Sequence, residues 1–260
     1  MLLRMMTYNI FEGGVGRLDP IAEVIRQANA HIVVLPETWD DQAFAALAQR
    51  LNMEFFQAHA PENPRGHVGL LTRLPLREAV NHAAYDPRLK RAVLHAVVDA
   101  HGRDVAVVGL HVKAGACPDA EAQRMAELPM ILNLAARFRG LPHAICGDFN
   151  SSHPEQIIDV SAVCPRTRRE VREHDGQFPR TFVGGFLAAG YADAHALHRT
   201  PSEFQTTFTT QHPALRYDYI LVSPELTRAV VACESLQLPL GKYASDHYPV
   251  VAVLDTDLMG

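Results

Sequence analysis

The stretch Cys146-Gly147-Asp148-Phe149-Asn150 directly follows the apolar run Leu141 to Ile145. The apolar run predicts a buried strand, with the Asp-x-Asn sequence at its end. Because side chains two positions apart on a strand point to the same face, we expect Asp148 and Asn150 to lie side by side. A carboxylate and an amide in this arrangement can hold a water molecule or a hydrated metal ion. The same tripeptide also occurs in ordinary turns, so it needs support from the rest of the chain.

A second polar strand end lies near the C-terminus. Ser245-Asp246-His247 comes just before the apolar run Val250 to Leu254. Aspartate is a hard oxygen ligand, and histidine titrates near neutral pH. The pair is therefore a candidate catalytic or metal-binding group, and a solvated loop with a capping aspartate is the alternative.

Four more predicted strands carry a polar residue at one end. They are Leu3 to Tyr8 with Asn9, His31 to Leu35 with Glu37, Val105 to Leu110 with His111, and Ile220 to Val222 with Asp218. Polar groups at strand ends can converge on one edge of a sheet. We therefore expect these side chains to gather with those of Asp148, Asn150, Asp246 and His247.

Taken in order, the motifs resemble those of the endonuclease/exonuclease/phosphatase superfamily. They are Asn9 in Thr-Tyr-Asn-Ile, Glu37 in Pro-Glu-Thr-Trp, Arg73 in Leu-Thr-Arg-Leu-Pro, His111 in Gly-Leu-His-Val, Gly147-Asp148-Phe149-Asn150, Tyr217-Asp218-Tyr219-Ile220 and Ser245-Asp246-His247. The resemblance extends from residue 5 to about residue 254. It implies an α/β fold, a four-layer sandwich of two packed mixed β-sheets flanked by helices, in a single domain over residues 1–260.

The resemblance also implies roles for individual residues. The expected ligands of a Mg²⁺ or Mn²⁺ ion are Glu37, Asn9 and Asp246. The expected catalytic residues are Asp148, Asn150, His247, His111 and Asp218, with Asp218 holding the tautomer of His247. Arg91 and Arg73 are expected to contact the substrate phosphate, although Arg91 fits an edge-strand surface position equally well.

Three positions depart from the superfamily pattern. Pro36 stands where relatives often have Gln, and Phe11 replaces an acidic metal ligand of the repair nucleases. The stretch Arg65-Gly66-His67-Val68-Gly69 contains no carboxylate, so the His–Glu pair of the deoxyribonuclease branch is not expected here.

Three functions are compatible with these residues. The leading hypothesis is divalent-metal-dependent hydrolysis of a small or medium phosphodiester or phosphomonoester. An endo- or exonuclease acting on DNA or RNA is the first alternative. The net charge of −5 weighs against it, because affinity for nucleic acid comes largely from clustered Lys and Arg. The second alternative, a non-catalytic binding module on the same fold, is disfavoured because none of the expected catalytic residues is lost.

Composition agrees with a single enzyme domain in the cytoplasm. The 260 residues are 48% hydrophobic, and no Pro/Gly/Ser-rich linker divides them. Met1 to Met6 has one charge and only a short apolar stretch before a polar strand end, so neither a signal peptide nor a membrane segment is expected there. The four cysteines have no CxxC spacing and are read as reduced thiols.

The connecting segments predict helices and one unusual insertion. Helices are expected over Ile21 to Asn29, with Asp19 as the N-cap and Pro20 in the first turn, over Asp40 to Leu51, and over Asp119 to Phe138. Residues 161–185 carry five arginines without a useful apolar stripe. This segment is predicted to be a solvated helix or loop, or a lid that supplies arginine to a substrate phosphate.

Overall fold

Twelve strands make up the two sheets of the computed structural model, which describes residues 1–259. In chain order they are β1 (Leu2–Thr7), β2 (Ile32–Pro36), β3 (Glu54–Ala58), β4 (Val68–Thr72), β5 (Leu76–Asn81), β6 (Val93–Asp99), β7 (Asp104–His111), β8 (His143–Asp148), β9 (Ala192–Asp193), β10 (Asp218–Val222), β11 (Val230–Ser235) and β12 (Val250–Asp255). The six strands anticipated from apolar runs are all present, with ends shifted by at most three residues.

Each sheet contains six strands. The first has the order β11-β12-β1-β2-β4-β3, and the second has the order β5-β6-β7-β8-β10-β9. The pairs β1–β2 and β7–β8 are parallel, and the other paired strands are antiparallel. Both sheets are therefore mixed, as expected.

Neighbouring residues of a strand enter different layers of the core. Met5 packs between the two sheets, whereas Met6 packs against the helices outside the first sheet. In the second sheet Cys146 faces the other sheet, and Ile145 faces the outer helices. This period of two arises from the pleat of the strands, and because both faces are covered the strands are almost continuously apolar.

Helices connect the strands of the two sheets. They are α1 (Leu18–Ala28), α2 (Asp41–Leu51), α3 (Pro118–Ala135), α4 (Pro165–Arg172), α5 (Thr181–Ala188), α6 (Pro224–Thr227) and α7 (Gly241–Ala244). Apolar residues of α1 and α2 pack on the first sheet, and those of α3 and α5 pack on the second. The four-layer sandwich is confirmed.

Helix α1 begins earlier than the sequence predicts. Its first hydrogen bond joins the Ile21 N–H to the Arg17 carbonyl at 3.1 Å, so Arg17 occupies the N-cap position. Asp19 lies inside the first turn instead, and its carboxylate accepts from Arg50 Nε at 2.9 Å. The Asp-Pro pair marked the start of the helix but not the residue that caps it.

The prediction for residues 161–185 is wrong at the C-terminal end of the segment. Helix α4 carries exposed arginines, as expected for a solvated helix. Helix α5 is a core helix, with Phe182, Val183 and Phe186 buried against the second sheet. These apolar residues begin only where the segment ends, so the composition of the whole stretch concealed them.

All four cysteines are free thiols. Within residues 1–259, no helix has both the length and the apolar character needed to cross a membrane.

Candidate active site

Strand register aligns three of the predicted residues across the second sheet. The parallel pairing of β7 and β8 places His111 opposite Asp148. The antiparallel pairing of β8 and β10 places Asp148 opposite Asp218. All three side chains are buried. Backbone hydrogen bonding therefore produces part of the expected convergence.

The first sheet contributes Asn9 and Glu37, which follow the parallel strands β1 and β2. Asn9 Nδ2 donates to Glu37 Oε1 at 3.3 Å and to Asp148 Oδ2 at 3.0 Å, so this amide joins the two sheets. Asn9 Oδ1 accepts the Phe11 N–H at 2.9 Å. In this orientation Asn9 supplies a donor to the carboxylates, and its role as a metal ligand stays a prediction.

Glu37 has a left-handed backbone with φ of 65°. Non-glycine residues adopt this conformation infrequently, and functional sites are among the places where it occurs. The Glu37 N–H donates to the His67 carbonyl at 3.0 Å, and Glu37 Oε2 accepts the Glu12 N–H at 2.8 Å. These contacts hold the carboxylate at the mouth of the cleft.

Asp148 and Asn150 do not lie side by side on a strand as predicted. Strand β8 ends at Asp148, and Asn150 is left-handed with φ of 45°. The Asn150 N–H donates to Asp148 Oδ1 at 2.9 Å, which closes a tight Asx turn. The alternative prediction, that the Asp-x-Asn sequence forms a turn, is therefore correct for the backbone. Both side chains still line the cleft.

His247 forms a carboxylate–histidine pair with Asp218. Its Nδ1 lies 2.7 Å from Asp218 Oδ2, and its Nε2 lies 3.8 Å from Asp148 Oδ2 and 4.0 Å from Asp246 Oδ1. Burial disfavours a charged ring, but the carboxylates of Asp218, Asp246 and Asp148 outweigh it and hold the pKa of His247 well above its ordinary value. His247 is therefore an imidazolium that points Nε2 toward Asp148.

His111 has the opposite electrostatic environment. Arg91 Nη1 lies 3.2 Å from each of its ring nitrogens. Burial first, and then the charge of Arg91, lower the pKa of His111 well below its ordinary value. Among residues 1–259 no carboxylate lies within hydrogen-bonding distance of this ring, and Glu37 Oε1 is 4.0 Å away. His111 is therefore neutral in this cleft.

Asp148 lies between the two histidines. His111 Nε2 is 3.8 Å from its Oδ2, the same distance as His247 Nε2. Burial, followed by the charge of Asp218, raises the pKa of Asp148 to about 7. A carboxylate with such a pKa can accept a proton near neutral pH.

The site also contains groups suited to a cation. The buried oxygens Asp246 Oδ1 and Asp218 Oδ1 have no hydrogen-bond partner. Burial raises the pKa of Asp246, and a bound cation would relieve this penalty on its charged form. Asp148, Asp218 and His247 also bring one potential ligand atom each within 4.8 Å of one another. Because His247 is charged and hydrogen-bonded to Asp218, its ring offers no lone pair to a metal ion in this state.

Asp41, His59 and His67 form a second group of potential ligands outside this cleft. His67 Nδ1 accepts the Ala60 N–H at 3.0 Å, so the neutral ring carries its proton on Nε2. In this state His67 has no free lone pair to offer a metal ion.

Arg73 does not belong to the cleft, contrary to the sequence prediction. Val68, at the start of β4, pairs with Pro36 at the site end of β2, whereas Thr72 pairs with Ile32 at the other end. Arg73 follows Thr72 and donates its N–H to His31 O at 2.9 Å. The antiparallel direction of β4 thus carries this arginine away from the catalytic residues.

Most of the predicted residues line a cleft of ≈ 370 Å³, namely Glu37, Arg91, His111, Asp148, Asn150, Asp246 and His247. Asn9 and Asp218 are buried and do not form part of its wall.

The walls of the cleft also contain Arg65, Lys113 and Tyr217, to which the sequence assigned no role. The position of Tyr217 next to Asp218 was a usable signal, whereas Arg65 and Lys113 come from connecting segments, whose path a single sequence conveys poorly. Arg166 of α4 also lines the cleft, and the lid role predicted for its segment stays a prediction.

Comparisons with known proteins agree with this fold. The sequence profile of the Endonuclease/Exonuclease/phosphatase family matches residues 6–247. No curated protein sequence matches the chain.

Solved structures similar to this chain cover nearly all of it. An AP endonuclease from Archaeoglobus fulgidus has 20% identity and a TM-score of 0.71, with 98% of this chain and 100% of that chain covered. The 3′ phosphatase NExo from Neisseria, bound to a product DNA hairpin, has 21% identity and a TM-score of 0.70, with 97% and 99% covered. An endonuclease/exonuclease/phosphatase from Bacteroides vulgatus has 16% identity and a TM-score of 0.72, with 98% and 99% covered. At these identities the likeness establishes the fold.

Proposed function

The chain belongs to the endonuclease/exonuclease/phosphatase family, and from this premise we propose that it hydrolyses a small or medium-sized phosphoester in the cleft between its two sheets. Hydrolysis of a phosphoester with a divalent metal is the activity of the family. The substrate class is the part that we propose. The observation that carries it is the size of the cleft, since ≈ 370 Å³ is within the range of small-molecule sites.

Oxygen ligands favour Mg²⁺ or Mn²⁺ as the metal. Glu37 and Asp246 would hold it, with Asn9 after rotation of its amide and Asp148 nearby. When bound, such an ion neutralises charge on the phosphoryl oxygens and lowers the pKa of water. We propose Mg²⁺ first, because carboxylate and amide oxygens with room for water are its usual surroundings.

The protein side chains divide the remaining tasks. Asp148 orients the attacking water and accepts its proton, and Asn150 holds that water or a phosphoryl oxygen. The imidazolium of His247 faces the phosphoryl group as an acid or electrostatic clamp, oriented by Asp218. Arg91 and neutral His111 complete the cradle for the phosphoryl oxygens.

A nuclease is the second candidate, and one observation favours it. Arg166 of α4 lines the cleft, and Arg168, Arg169 and Arg172 of the same helix border a separate hollow. A nucleic-acid strand leaving the cleft past Arg166 and around α4 would reach these arginines. Its binding would weaken steeply with salt, because phosphate contacts release counterions.

Cytoplasmic location also remains a proposal. It rests on the four free cysteines, which suit a reducing compartment.

The test compares a chromogenic phosphodiester, a phosphomonoester and supercoiled plasmid, each with Mg²⁺, Mn²⁺ or chelator. We expect metal-dependent turnover of the small esters without plasmid nicking, and a loss of about 10²–10⁴-fold in Asp148→Ala. Glu37→Gln is expected to raise the metal concentration for half-maximal rate, whereas Glu78→Gln, at an exposed glutamate outside the cleft, is the matched control. Nicking that disappears in Asp148→Ala would establish the nuclease instead.

A further inference from the structure

The turn before β4 holds Arg65 at the rim of the cleft. Residues Pro64–Gly66 form a single 3-10 turn, in which Asn63 Oδ1 accepts the Arg65 N–H at 3.0 Å. The turn is tied to the catalytic region, because the next residue, His67, accepts the Glu37 N–H through its carbonyl at 3.0 Å. The backbone that carries Arg65 is therefore fixed relative to the candidate metal ligand.

The Arg65 guanidinium is oriented by two neighbours. It lies 5.2 Å from the ring centre of Trp39, an attractive cation–π distance. Its Nη2 lies 3.3 Å from Glu12 Oε1, while Nε and Nη1 have no partner among residues 1–259. The guanidinium thus keeps N–H donors that are free to bind a ligand. The position of the Glu12 carboxylate shows where an anionic group can contact this guanidinium.

The ion pair between Arg65 and Glu12 is open to exchange. The side chains of Arg65 and Glu12 are 57% and 46% exposed, and pairs this exposed contribute little to stability. An anion of a ligand can therefore replace the Glu12 carboxylate on Arg65 without disturbing the fold. The Glu12 N–H keeps its separate bond to Glu37 Oε2.

Arg65 and Arg91 lie next to each other on one wall of the cleft. Arg91 Nη1 donates to the Arg65 carbonyl at 3.5 Å, and the Cβ position of Gly66 lies 3.0 Å from Arg91 Cγ. Arg91 is the inner cation beside His111, whereas Arg65 is the outer one beside Trp39. A ligand that engages the inner and the outer arginine through separate anionic groups would carry two of them.

We propose that Arg65 is an outer phosphate-binding position, and that the substrate is a phosphoester carrying a second phosphate beside the one that is hydrolysed. This inference rests on the proposed function and narrows its substrate class. In the free protein the Glu12 carboxylate pairs with the Arg65 guanidinium. When the substrate binds, its second phosphate replaces the Glu12 carboxylate in this pair.

The first test uses thymidine 5′-(4-nitrophenyl phosphate) with and without a 3′-phosphate. We expect the wild type to prefer the 3′-phosphorylated ester in kcat/KM, and Arg65→Gln to lower that preference about tenfold, since a charge-assisted contact is lost. Glu12→Gln should raise the preference, because it removes the competing carboxylate. Arg50→Gln is the control, since Arg50 forms an exposed pair with Asp19 on α1. An unchanged ratio in Arg65→Gln would overturn the proposal.

The second test does not depend on hydrolysis. Trp39 is the single tryptophan of the chain, so its fluorescence reports directly on this rim. We expect pyrophosphate to change the emission at lower concentration than inorganic phosphate, and the midpoint for pyrophosphate to rise about tenfold in Arg65→Gln. Equal midpoints in the two proteins would reject the outer position. If the wild type hydrolyses neither ester, the proposed function fails while this titration still decides the role of Arg65.

Discussion

Two buried histidines in the same cleft hold opposite protonation states. His247 is charged because three carboxylates surround it, and His111 is neutral because burial and Arg91 oppose its charge. The imidazolium of His247 can stabilise the phosphoryl oxygens or supply a proton, and the neutral ring of His111 can contact the phosphoryl group from the other side. The residue types alone are identical, so the difference arises from their neighbours.

Replacement of Asp218 tests the charge of His247. Asp218→Asn keeps a hydrogen-bonding side chain but removes the nearest negative charge, so the pKa of His247 should fall. Protonated His247 is then lost at lower pH, and the alkaline limb of the pH–rate profile should move to lower pH. We expect kcat to fall about 10- to 100-fold at neutral pH.

The control for this change is Asp257→Asn, at an exposed aspartate that pairs with the N-terminus. An alkaline limb that stays in place in Asp218→Asn would show that the charge of His247 does not depend on Asp218.

At the scale of elements, the parallel pair β7–β8 supports the site. Gly147 lies between Cys146 and Asp148 with φ of 149°, and a Cβ atom there would lie 1.9 Å from the Leu110 carbonyl oxygen. Only glycine lets the two strands approach in the register that sets His111 opposite Asp148.

Gly147→Ala should therefore destabilise the protein strongly. The added methyl group can be accommodated only if backbone moves, and we expect a loss of about 3 kcal/mol or more in the free energy of unfolding, measured by urea denaturation. Gly140→Ala is the matched control, because Gly140 also has positive φ but has open space around it. That change should cost about 1 kcal/mol. Similar losses in the two variants would mean that the strand contact is not the limiting feature.

The sequence predicted elements better than the paths between them. Apolar runs located the strands around Met5, Val107 and Ile145, because strands covered on both faces need continuous hydrophobic residues. The turn at Asn150 was only the alternative to a strand, because the side chain–backbone bond that ends the strand leaves no mark on the apolar run before it. Arg73 was misplaced because its position depends on the direction of β4, which the residues of β4 do not encode.

At the scale of the molecule, buried polar clusters make stability depend on pH. His195 is 1% exposed, and its Nε2 accepts the Gln205 N–H at 3.1 Å. Burial, followed by the charge of Arg216, lowers its pKa from 6.5 to about 3. The unfolded chain binds this proton near pH 6.5, whereas the folded protein does not, so acid favours unfolding.

We therefore expect the contribution of neutral His195 to the free energy of unfolding to be fully present above pH 6.5. This contribution should be lost progressively as the pH falls toward 3. The loss is at most about 1.4 kcal/mol for each pH unit. Urea unfolding of the wild type and His195→Gln at pH 7.5 and 5.5 measures it, and the variant should depend less on pH. Parallel pH dependence in the two proteins would assign the effect to other groups.

The alignment of His111, Asp148 and Asp218 by backbone pairing has a consequence for mutation by insertion or deletion. One residue added within β8 would turn the Asp148 side chain to the opposite face and separate it from both partners at once. Such an insertion would then abolish the hydrolytic activity completely instead of lowering its rate in part. Changes of length in the surrounding loops leave this alignment intact. The loops that shape the substrate site can therefore change during evolution while the three catalytic residues stay aligned.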